Sequence, residues 1–319
     1  MSGATLRLGT VRLETLRLGT RRSALALAQS GLVARAVTEA TGRPVELVEI
    51  TTFGDVSKAA LTQIGGTGVF VNALRDALLE GAVDFAVHSL KDLPTAAPEH
   101  LALAAVPERE DVRDVLVARD QLKFADLPAG ARIGTGSPRR AAQLRLLRQD
   151  LEIVAVRGNV DTRVGYVAKG ELDAVVLAYA GLARLGRIGE ASDYFDPSAM
   201  VPAPGQGALA VECRADDAEL VSALSALDHR PTRAAVRAER ALLAALEAGC
   251  SAPVGGYAVV SAEELQLTGT VTEADSLDAV PRSIRMSATG PLDEAERIGR
   301  ELAARMLGQG AAGLMGNKP

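Results

Sequence analysis

The sequence predicts an α/β protein of two or three domains, and three observations lead to that class. The chain has 319 residues, which is too long for a single hydrophobic core of ordinary size. Between residues 16 and 212, short apolar strands alternate with helical patterns, which implies parallel sheets joined by right-handed crossovers. After residue 250 the strand patterns follow one another directly, which indicates a small C-terminal α+β domain with an antiparallel sheet.

The composition argues against several classes of function. Charged residues make up 24% of the chain, and 35 basic against 40 acidic residues give a formal charge of −5, which is not typical of a nucleic-acid or membrane-surface binder. No stretch approaches the ~20 apolar residues of a membrane span, and the N-terminus lacks an apolar signal core, so we expect a cytoplasmic protein. The two cysteines and three histidines share no metal-ligand spacing, which predicts no metal site.

The first elements follow from helix and turn signals. LRLGT occurs at residues 6–10 and 16–20, and only the second copy precedes a helical pattern, so we place the first strand at 16–19. The helix should bury one face, formed by Leu25, Ala28, Leu32 and Ala36. Residues 45–50 form a strand pattern, and the glycine-rich stretch 64–70 is predicted as a loop that binds no phosphate, because no Lys-Ser/Thr pair follows its glycines.

The stretch AVDFAVHSLKDLP should place polar groups at the end of a strand. Apolar and polar residues alternate before Ser89, and Pro94 cannot donate to a ladder, so the strand should end near Ser89. Ser89, Lys91 and Asp92 then lie beyond its carboxyl end, where ligands bind in open α/β sheets. The plain alternative is a solvated turn with an internal Lys–Asp pair.

A second polar cluster follows the connector at residues 107–114, which we predict to be a hinge. After a strand at 132–136, Ser137 is a good N-cap and Pro138 fits the first helical position. Arg139 and Arg140 come next; together with the free N–H groups of the helix start they form an anion site, although they oppose the helix dipole. Two ordinary surface arginines are the alternative.

More arginines follow the next strands of the pattern. Arg157 and Arg163 come after the strand that begins at residue 151, and Arg184 follows the strand that begins at 172. With Arg21, they should line one crevice at the carboxyl ends of the strands. Gln206 lies between two glycines in a predicted return linker, where the backbone can approach a ligand closely.

The two cysteines differ in their predicted settings. Cys213 ends an apolar strand and is expected to be a buried core thiol. Cys250 follows an amphipathic helix at 234–248 that stops at Gly249, and its small and polar neighbours make it the accessible thiol. An incidental surface thiol is the alternative for Cys250.

At this point the chain resembles a known family, the porphobilinogen deaminases (hydroxymethylbilane synthases), over residues 16–310. The stretches that carry the resemblance occur in the family's order: LGTRRSALALAQ, IGGTGVF, AVHSLKDLP, EREDVRDVL, IGTGSPRRAAQL, VRGNVDTR, LAYAGLARLG, PAPGQGALAVECR and LEAGCSAPVGGYA. The resemblance implies two periplasmic-binding-protein-like α/β domains plus a small C-terminal α+β domain. Their expected bounds are 15–107 with 207–226, then 108–206, and finally 227–319.

The resemblance also implies an activity. Members of the family are transferases of tetrapyrrole and heme biosynthesis that condense four porphobilinogen molecules head to tail, with loss of ammonia, into linear hydroxymethylbilane. They extend a dipyrromethane primer that is bound covalently to a cysteine. The resemblance further implies a monomer whose product passes to uroporphyrinogen-III synthase.

Carried over by motif, the resemblance gives each site residue a role. Asp92 is the catalytic residue, and Cys250 holds the dipyrromethane through a thioether. The other expected cofactor-binding residues are Ser89, Lys91, Thr135, Ser137, Arg139 and Arg140. The expected substrate-binding residues are Arg21, Ser23, Arg157, Arg163, Arg184 and Gln206. The chain departs from many relatives at Phe53, Gln63, Thr67 and Pro138.

Two other functions compete with this one. A carboxylate-binding protein or effector domain of periplasmic-binding-protein type also needs two α/β lobes and an arginine-rich crevice, but it needs neither Cys250 nor Asp92. A cysteine-dependent hydrolase needs a partnered histidine, and none is evident in the sequence.

Overall fold

The computed structural model describes residues 14–51, 71–249, 252–273 and 281–315. Three sheets organise these residues, two with five strands and one with three. The first LRLGT copy and the glycine-rich stretch 64–70 lie outside the described residues. No helix in the described ranges is long and apolar enough to cross a membrane.

The first domain is built on a sheet with the order β2-β1-β3-β10-β4. Its strands are β1 (Leu16–Thr20), β2 (Val45–Glu49), β3 (Phe85–Ser89), β4 (Leu101–Ala105) and β10 (Leu209–Arg214). Strands β1, β2 and β3 are parallel, whereas β10 runs antiparallel to both of its neighbours. The expectation of purely parallel sheets is therefore wrong, because the linker brings β10 back into this sheet from the opposite direction.

The second domain repeats the arrangement in the order β7-β6-β8-β5-β9. Its strands are β5 (Asp114–Ala118), β6 (Arg132–Thr135), β7 (Glu152–Ala155), β8 (Ala174–Ala178) and β9 (Asp193–Phe195). Here β5 is the antiparallel strand, paired with β8 and β9. Two matching α/β domains with one crossing strand each confirm the predicted fold class.

The third domain is α+β, as predicted. Its antiparallel sheet comprises β11 (Val254–Ser261), β12 (Glu264–Thr272) and β13 (Ser283–Pro291). Two helices, α7 (Arg230–Ala245) and α8 (Ala295–Gly308), pack on one face of it, and a short α9 (Ala311–Leu314) follows. Leu242, Leu267, Leu302 and Met306 are fully buried between these layers.

Among the described residues, six helices belong to the first two domains. They are α1 (Ala24–Thr41), α2 (Asn72–Leu79), α3 (Pro138–Leu147), α4 (Val160–Ala168), α5 (Tyr179–Arg184) and α6 (Ala218–Ser225). The predicted inner face of α1 is wrong: Leu32 is 44% exposed, while Gln29, Val33 and Val37 are buried. An alanine-rich helix offers two similar apolar stripes, and the sheet packs against the one with β-branched valines.

A fully buried carboxylate joins the predicted hinge, the return linker and the third domain. Arg109 in the hinge donates two hydrogen bonds to Glu239 on α7, at 2.7 and 3.0 Å. Glu239 also accepts from the backbone N–H groups of Gly205 and Ala258. The Nε of Arg109 donates to the carbonyl of Gln206 at 2.6 Å. Because both carboxylate oxygens are satisfied twice, the buried charge holds three chain segments together.

A second buried ionic group lies under the sheet of the first domain. Arg75 on α2 donates to both oxygens of Glu212 on β10, at 3.0 and 2.7 Å. The Nε2 of His88 on β3 lies 3.3 Å from Glu212. Burial is the largest influence on this carboxyl and opposes its ionisation, but the nearby His88 ring and the two hydrogen bonds from Arg75 outweigh it and lower the pKa of Glu212 to about 2.

This lowered pKa predicts an acid-sensitive contribution to stability. Since Glu212 titrates lower in the folded chain than in the unfolded chain, its stabilisation is present above its unfolded pKa and is lost as the pH falls toward about 2. We expect Glu212→Gln to reduce the free energy of unfolding at neutral pH by about 3 kcal/mol. The difference in Tm between the two proteins should shrink on acidification, because protonation removes the same charge.

Scanning calorimetry across that pH range measures this difference. Glu219→Gln on α6 is the matched control, because the Glu219 side chain is 91% exposed and should leave Tm unchanged. Parallel curves of Tm against pH for the parent and Glu212→Gln would contradict the assignment.

Candidate functional site

The polar stretch after β3 forms a short turn that presents Asp92. Strand β3 ends at Ser89, as predicted, and Leu90–Asp92 form one 3₁₀ turn. Leu90 and Leu93 are buried on either side of it, and the N–H of Leu90 donates to the carbonyl of Ala208 at 3.0 Å. Asp92 is exposed, so the turn is fixed from below while its carboxylate faces outward.

Ser89 has a partner that the sequence did not predict. The side-chain amide of Gln29 on α1 donates to the Ser89 hydroxyl at 3.0 Å. Gln29 is 6% exposed. In the sequence, Gln29 is a polar residue in an apolar stretch of α1 and is not among the residues of the face that was predicted to be buried. The pattern therefore did not indicate its contact with Ser89.

The second side of the site is the start of α3. Ser137 is the N-cap, and its hydroxyl accepts from the N–H of Arg140 at 3.4 Å, with Pro138 at the first helical position. The hydroxyl of Thr135, at the end of β6, accepts from the N–H of Ser137 at 3.2 Å. The predicted helix start is therefore confirmed.

Arg139 and Arg140 converge on one buried carboxylate, that of Asp114. Arg139 donates to Asp114 at 2.8 Å, and Arg140 donates through Nε and a terminal nitrogen at 3.0 and 2.8 Å. Their remaining bonds reach the carbonyls of Val201 and Val176. The arginines are 3% and 5% exposed and Asp114 is 0% exposed. The alternative of two surface arginines is thus wrong.

Gln206 is the fourth member of this group. Its side-chain amide donates to Asp114 at 2.8 Å and to the carbonyl of Val112 at 2.7 Å. Burial is the largest influence on Asp114 and raises its pKa, but Arg139 and Arg140 overcome it and hold the pKa well below its usual range. Asp114 is thus ionised, and it ties the hinge and the return linker to the start of α3.

The glycines beside Gln206 allow close backbone packing. Gly205 and Gly207 both have positive φ, 78° and 87°. A Cβ on Gly205 would lie 3.2 Å from the N of Lys91, and one on Gly207 would lie 2.4 Å from the carbonyl oxygen of Glu110. The close approach expected toward a ligand is in the structure an approach to the Leu90–Asp92 turn and to the connector at residues 107–114.

Positive charge is concentrated around Asp92. Burial and the neighbouring Arg140 lower the pKa of Lys91 to about 8. Burial and Arg140 also lower the pKa of Arg163, and Asp92 opposes that shift. The two sides of the site therefore share one electrostatic environment, in which cations repel one another.

This crowding fits a ligand that carries several carboxylates. Lys91, Arg139, Arg140 and Arg163 are cations that repel one another, and the carboxylates of Asp92 and Asp114 offset part of this repulsion. Among these six side chains the cations therefore outnumber the carboxylates by two. The Nε of Arg139 is also buried without a hydrogen-bond partner among the described residues. An anionic ligand would relieve both features.

The other predicted site residues have varied positions. Ser23 caps α1 by accepting from the N–H of Ala26, and Arg21 directly follows β1. Arg163 donates to the carbonyl of Gly158, and Arg184 donates to that of Gly207 at the return linker. Arg157 is exposed after β7.

The structure describes one of the two cysteines. Cys213 is fully buried, and burial raises its pKa to about 11, which confirms the predicted core thiol. The predicted attachment residue, Cys250, lies outside the described residues.

Comparison with known proteins gives the family. Residues 16–222 match the family model described as "Porphobilinogen deaminase, dipyromethane cofactor binding domain", and residues 233–308 match its C-terminal domain. A porphobilinogen deaminase 1 from Streptomyces coelicolor is 62% identical over 94% of this chain and 97% of its own length. The Thermobifida fusca deaminase is 60% identical, covering 92% and 93%, and the Mycobacterium leprae deaminase is 52% identical, covering 93% and 96%.

One solved structure of another kind shows a much lower similarity. A periplasmic substrate-binding protein of an ABC transporter from Coxiella burnetii has a TM-score of 0.43 and 16% identity, covering 66% of this chain and 91% of its own. A likeness at that level says nothing about ligand or activity. The close relatives, by contrast, favour the transferase over the binding protein and the hydrolase, and with both family models matched in order, this chain belongs to the porphobilinogen deaminase family.

Proposed function

We propose that this chain condenses four porphobilinogen molecules into hydroxymethylbilane, extending a dipyrromethane primer held by a thioether at Cys250. The observation that carries the proposal is the placement of the Asp92 carboxylate beside Lys91 and Arg163, in a cluster with net positive charge. Every pyrrole ring of the substrate brings an acetate and a propionate, so the growing chain gains two negative charges with each unit. A net-acidic protein needs local cations of this kind to bind it.

The cofactor fits the same cluster. We assign its carboxylates to the residues at the ends of β3 and β6 and the start of α3: Ser89, Lys91, Thr135, Ser137, Arg139 and Arg140. The dipyrromethane supplies the pyrrole at which chain growth begins. Lys91 gains from such a carboxylate, since an added negative charge would offset the burial and the Arg140 charge that lower its pKa to about 8.

Asp92 is proposed as the catalytic residue. Its exposed carboxylate accepts hydrogen bonds from pyrrole N–H groups and stabilises the positive charge that develops on the ring as ammonia departs. It can also transfer a proton to the leaving amine. Arg163 holds a carboxylate of the substrate ring while Asp92 acts on its nitrogen, so opposite ends of one substrate meet opposite charges.

The remaining residues are proposed to hold the substrate or the growing chain. They are Arg21, Ser23, Arg157, Arg163, Arg184 and Gln206. Arg184 donates to the return linker at Gly207, and Gln206 donates to the hinge at Val112. Their effect on substrate therefore includes fixing the relative position of the two α/β domains. Ser23 acts through the start of α1, where it is the cap.

The organisation of the chain is proposed as well. We infer domains at 15–107 with 207–226, at 108–206 and at 227–319, supported by the division of the strands among the three sheets. We infer a cytoplasmic monomer whose unstable linear product is received by uroporphyrinogen-III synthase.

Intact-protein mass spectrometry with peptide mapping tests the proposed function. The expected result is a mass excess of two condensed pyrrole units on the Cys250 peptide, none on the Cys213 peptide, and none in Cys250→Ser. An unmodified chain should gain this mass and release ammonia after incubation with porphobilinogen. A chain that does neither would contradict the proposed function.

A further inference from the structure

Two successive residues of α7 contact different segments of the two α/β domains. Glu239 binds the hinge and the return linker, as described above. Arg240, the next residue, donates to the carbonyl of Leu93 at 3.1 Å and to the carbonyl of Pro94 at 2.6 Å. These two carbonyls follow Asp92 directly in the chain. Arg240 is therefore a contact from the third domain onto the backbone that carries the proposed catalytic carboxylate.

The turn around Asp92 depends on α7 for its packing as well. Leu90 and Leu93, on either side of Lys91 and Asp92, are buried in one cluster with Val236 of α7. The helix thus supports the turn from below through Val236 and holds its exit through Arg240. Because the Asp92 side chain itself is exposed, its position is set by this backbone and not by burial of its own atoms.

We propose that Arg240 is a positioning residue for the deaminase reaction: it fixes Asp92 by holding the carbonyls of Leu93 and Pro94. A planar guanidinium that donates to two successive carbonyls restrains the peptide between them, which a flexible ammonium does less well. This inference rests on the proposed catalytic role of Asp92. It also makes the third domain a part of the catalytic machinery through its main helix.

The same helix offers a matched control. Arg237 lies on α7 one turn before Arg240 but is exposed, and it pairs with Glu296 on α8 within the third domain. Removing either arginine changes the charge and helix composition alike. Of these two arginines, only Arg240 donates to the backbone that directly follows Asp92.

The experiment compares holoenzymes of Arg240→Leu, Arg240→Lys and Arg237→Leu, with cofactor loading checked by mass. We expect Arg240→Leu to lower kcat about 10-fold while KM changes less than about 2-fold, because displacing a reacting group affects the transition state more than substrate binding. Arg240→Lys should recover part of the loss, and Arg237→Leu should match the parent. If Arg240→Leu does not fold, Arg240→Lys and Arg240→Gln provide the same comparison.

A double-mutant cycle separates positioning from a general effect on the structure. In an Asp92→Glu background, where the carboxylate is already displaced, Arg240→Leu should cost less than about 3-fold in kcat. The full 10-fold loss in both backgrounds, or a parental kcat for folded, loaded Arg240→Leu, would overturn the inference. A parental kcat for Asp92→Asn would instead remove the proposed role of Asp92, so the two failures are distinguishable.

Discussion

Asp92→Asn should fold, carry the cofactor and lose most of its turnover. The amide keeps the size and the turn position of the carboxylate but removes the charge that faces the developing cation. An opposite charge at contact distance near a protein surface is worth about 4 kcal/mol, which corresponds to a loss on the order of 10³-fold in kcat. Ammonia release and hydroxymethylbilane formation, measured on protein with cofactor loading confirmed by mass, give this value.

The control for that prediction is Glu99→Gln. Glu99 is an exposed carboxylate seven positions further along the same connection, so its replacement makes the same charge change outside the site and should leave kcat unaltered. Asp92→Glu keeps the charge but displaces it by one methylene, and we expect intermediate activity. Near-normal turnover of Asp92→Asn would show that another group stabilises the cation.

The sequence predicted the parts of the site that depend on local rules. The end of β3 at Ser89 follows from Pro94, and the start of α3 at Ser137 follows from a cap and a proline at the right spacing. The placement of polar residues at the carboxyl ends of strands then follows from the α/β pattern itself. These signals act within a few residues, so the sequence alone carries them.

Contacts between residues far apart in the chain could not be predicted from such local signals. Asp114 ends an acidic connector, where a solvated charge is the ordinary expectation, and only the fold brings Arg139, Arg140 and Gln206 to it from far along the chain. The face of α1 was misjudged for a related reason. Which of the two similar apolar stripes of α1 is buried depends on the sheet that packs against the helix, and Leu32 lies on the stripe that stays exposed. The contacts of Glu239 and Arg240 likewise arise only when α7 packs against the α/β domains, so the sequence of α7 alone does not predict them.

The second large effect is expected at Asp114. Asp114→Asn removes the charge that pairs with two guanidinium groups, both buried, and an amide cannot accept from both while satisfying its own N–H groups. Leaving buried cations without their counter-charge typically costs about 3–5 kcal/mol. In a chain of 319 residues that is a fall in Tm of roughly 4–8 °C. The start of α3 should shift with its arginines, so the fraction of chains that carry the cofactor should fall as well.

A compensating variant tests the electrostatic origin of this loss. Adding Arg139→Met to Asp114→Asn removes one of the two unpaired cations, and we expect Tm to recover in part, although Arg139→Met alone disrupts a satisfied group. Differential scanning fluorimetry measures the stability and intact mass measures the loading. If Asp114→Asn keeps the parental Tm and full loading, the arginines do not depend on Asp114. If the double variant is less stable than Asp114→Asn, the loss comes from packing around the side chain and not from its charge.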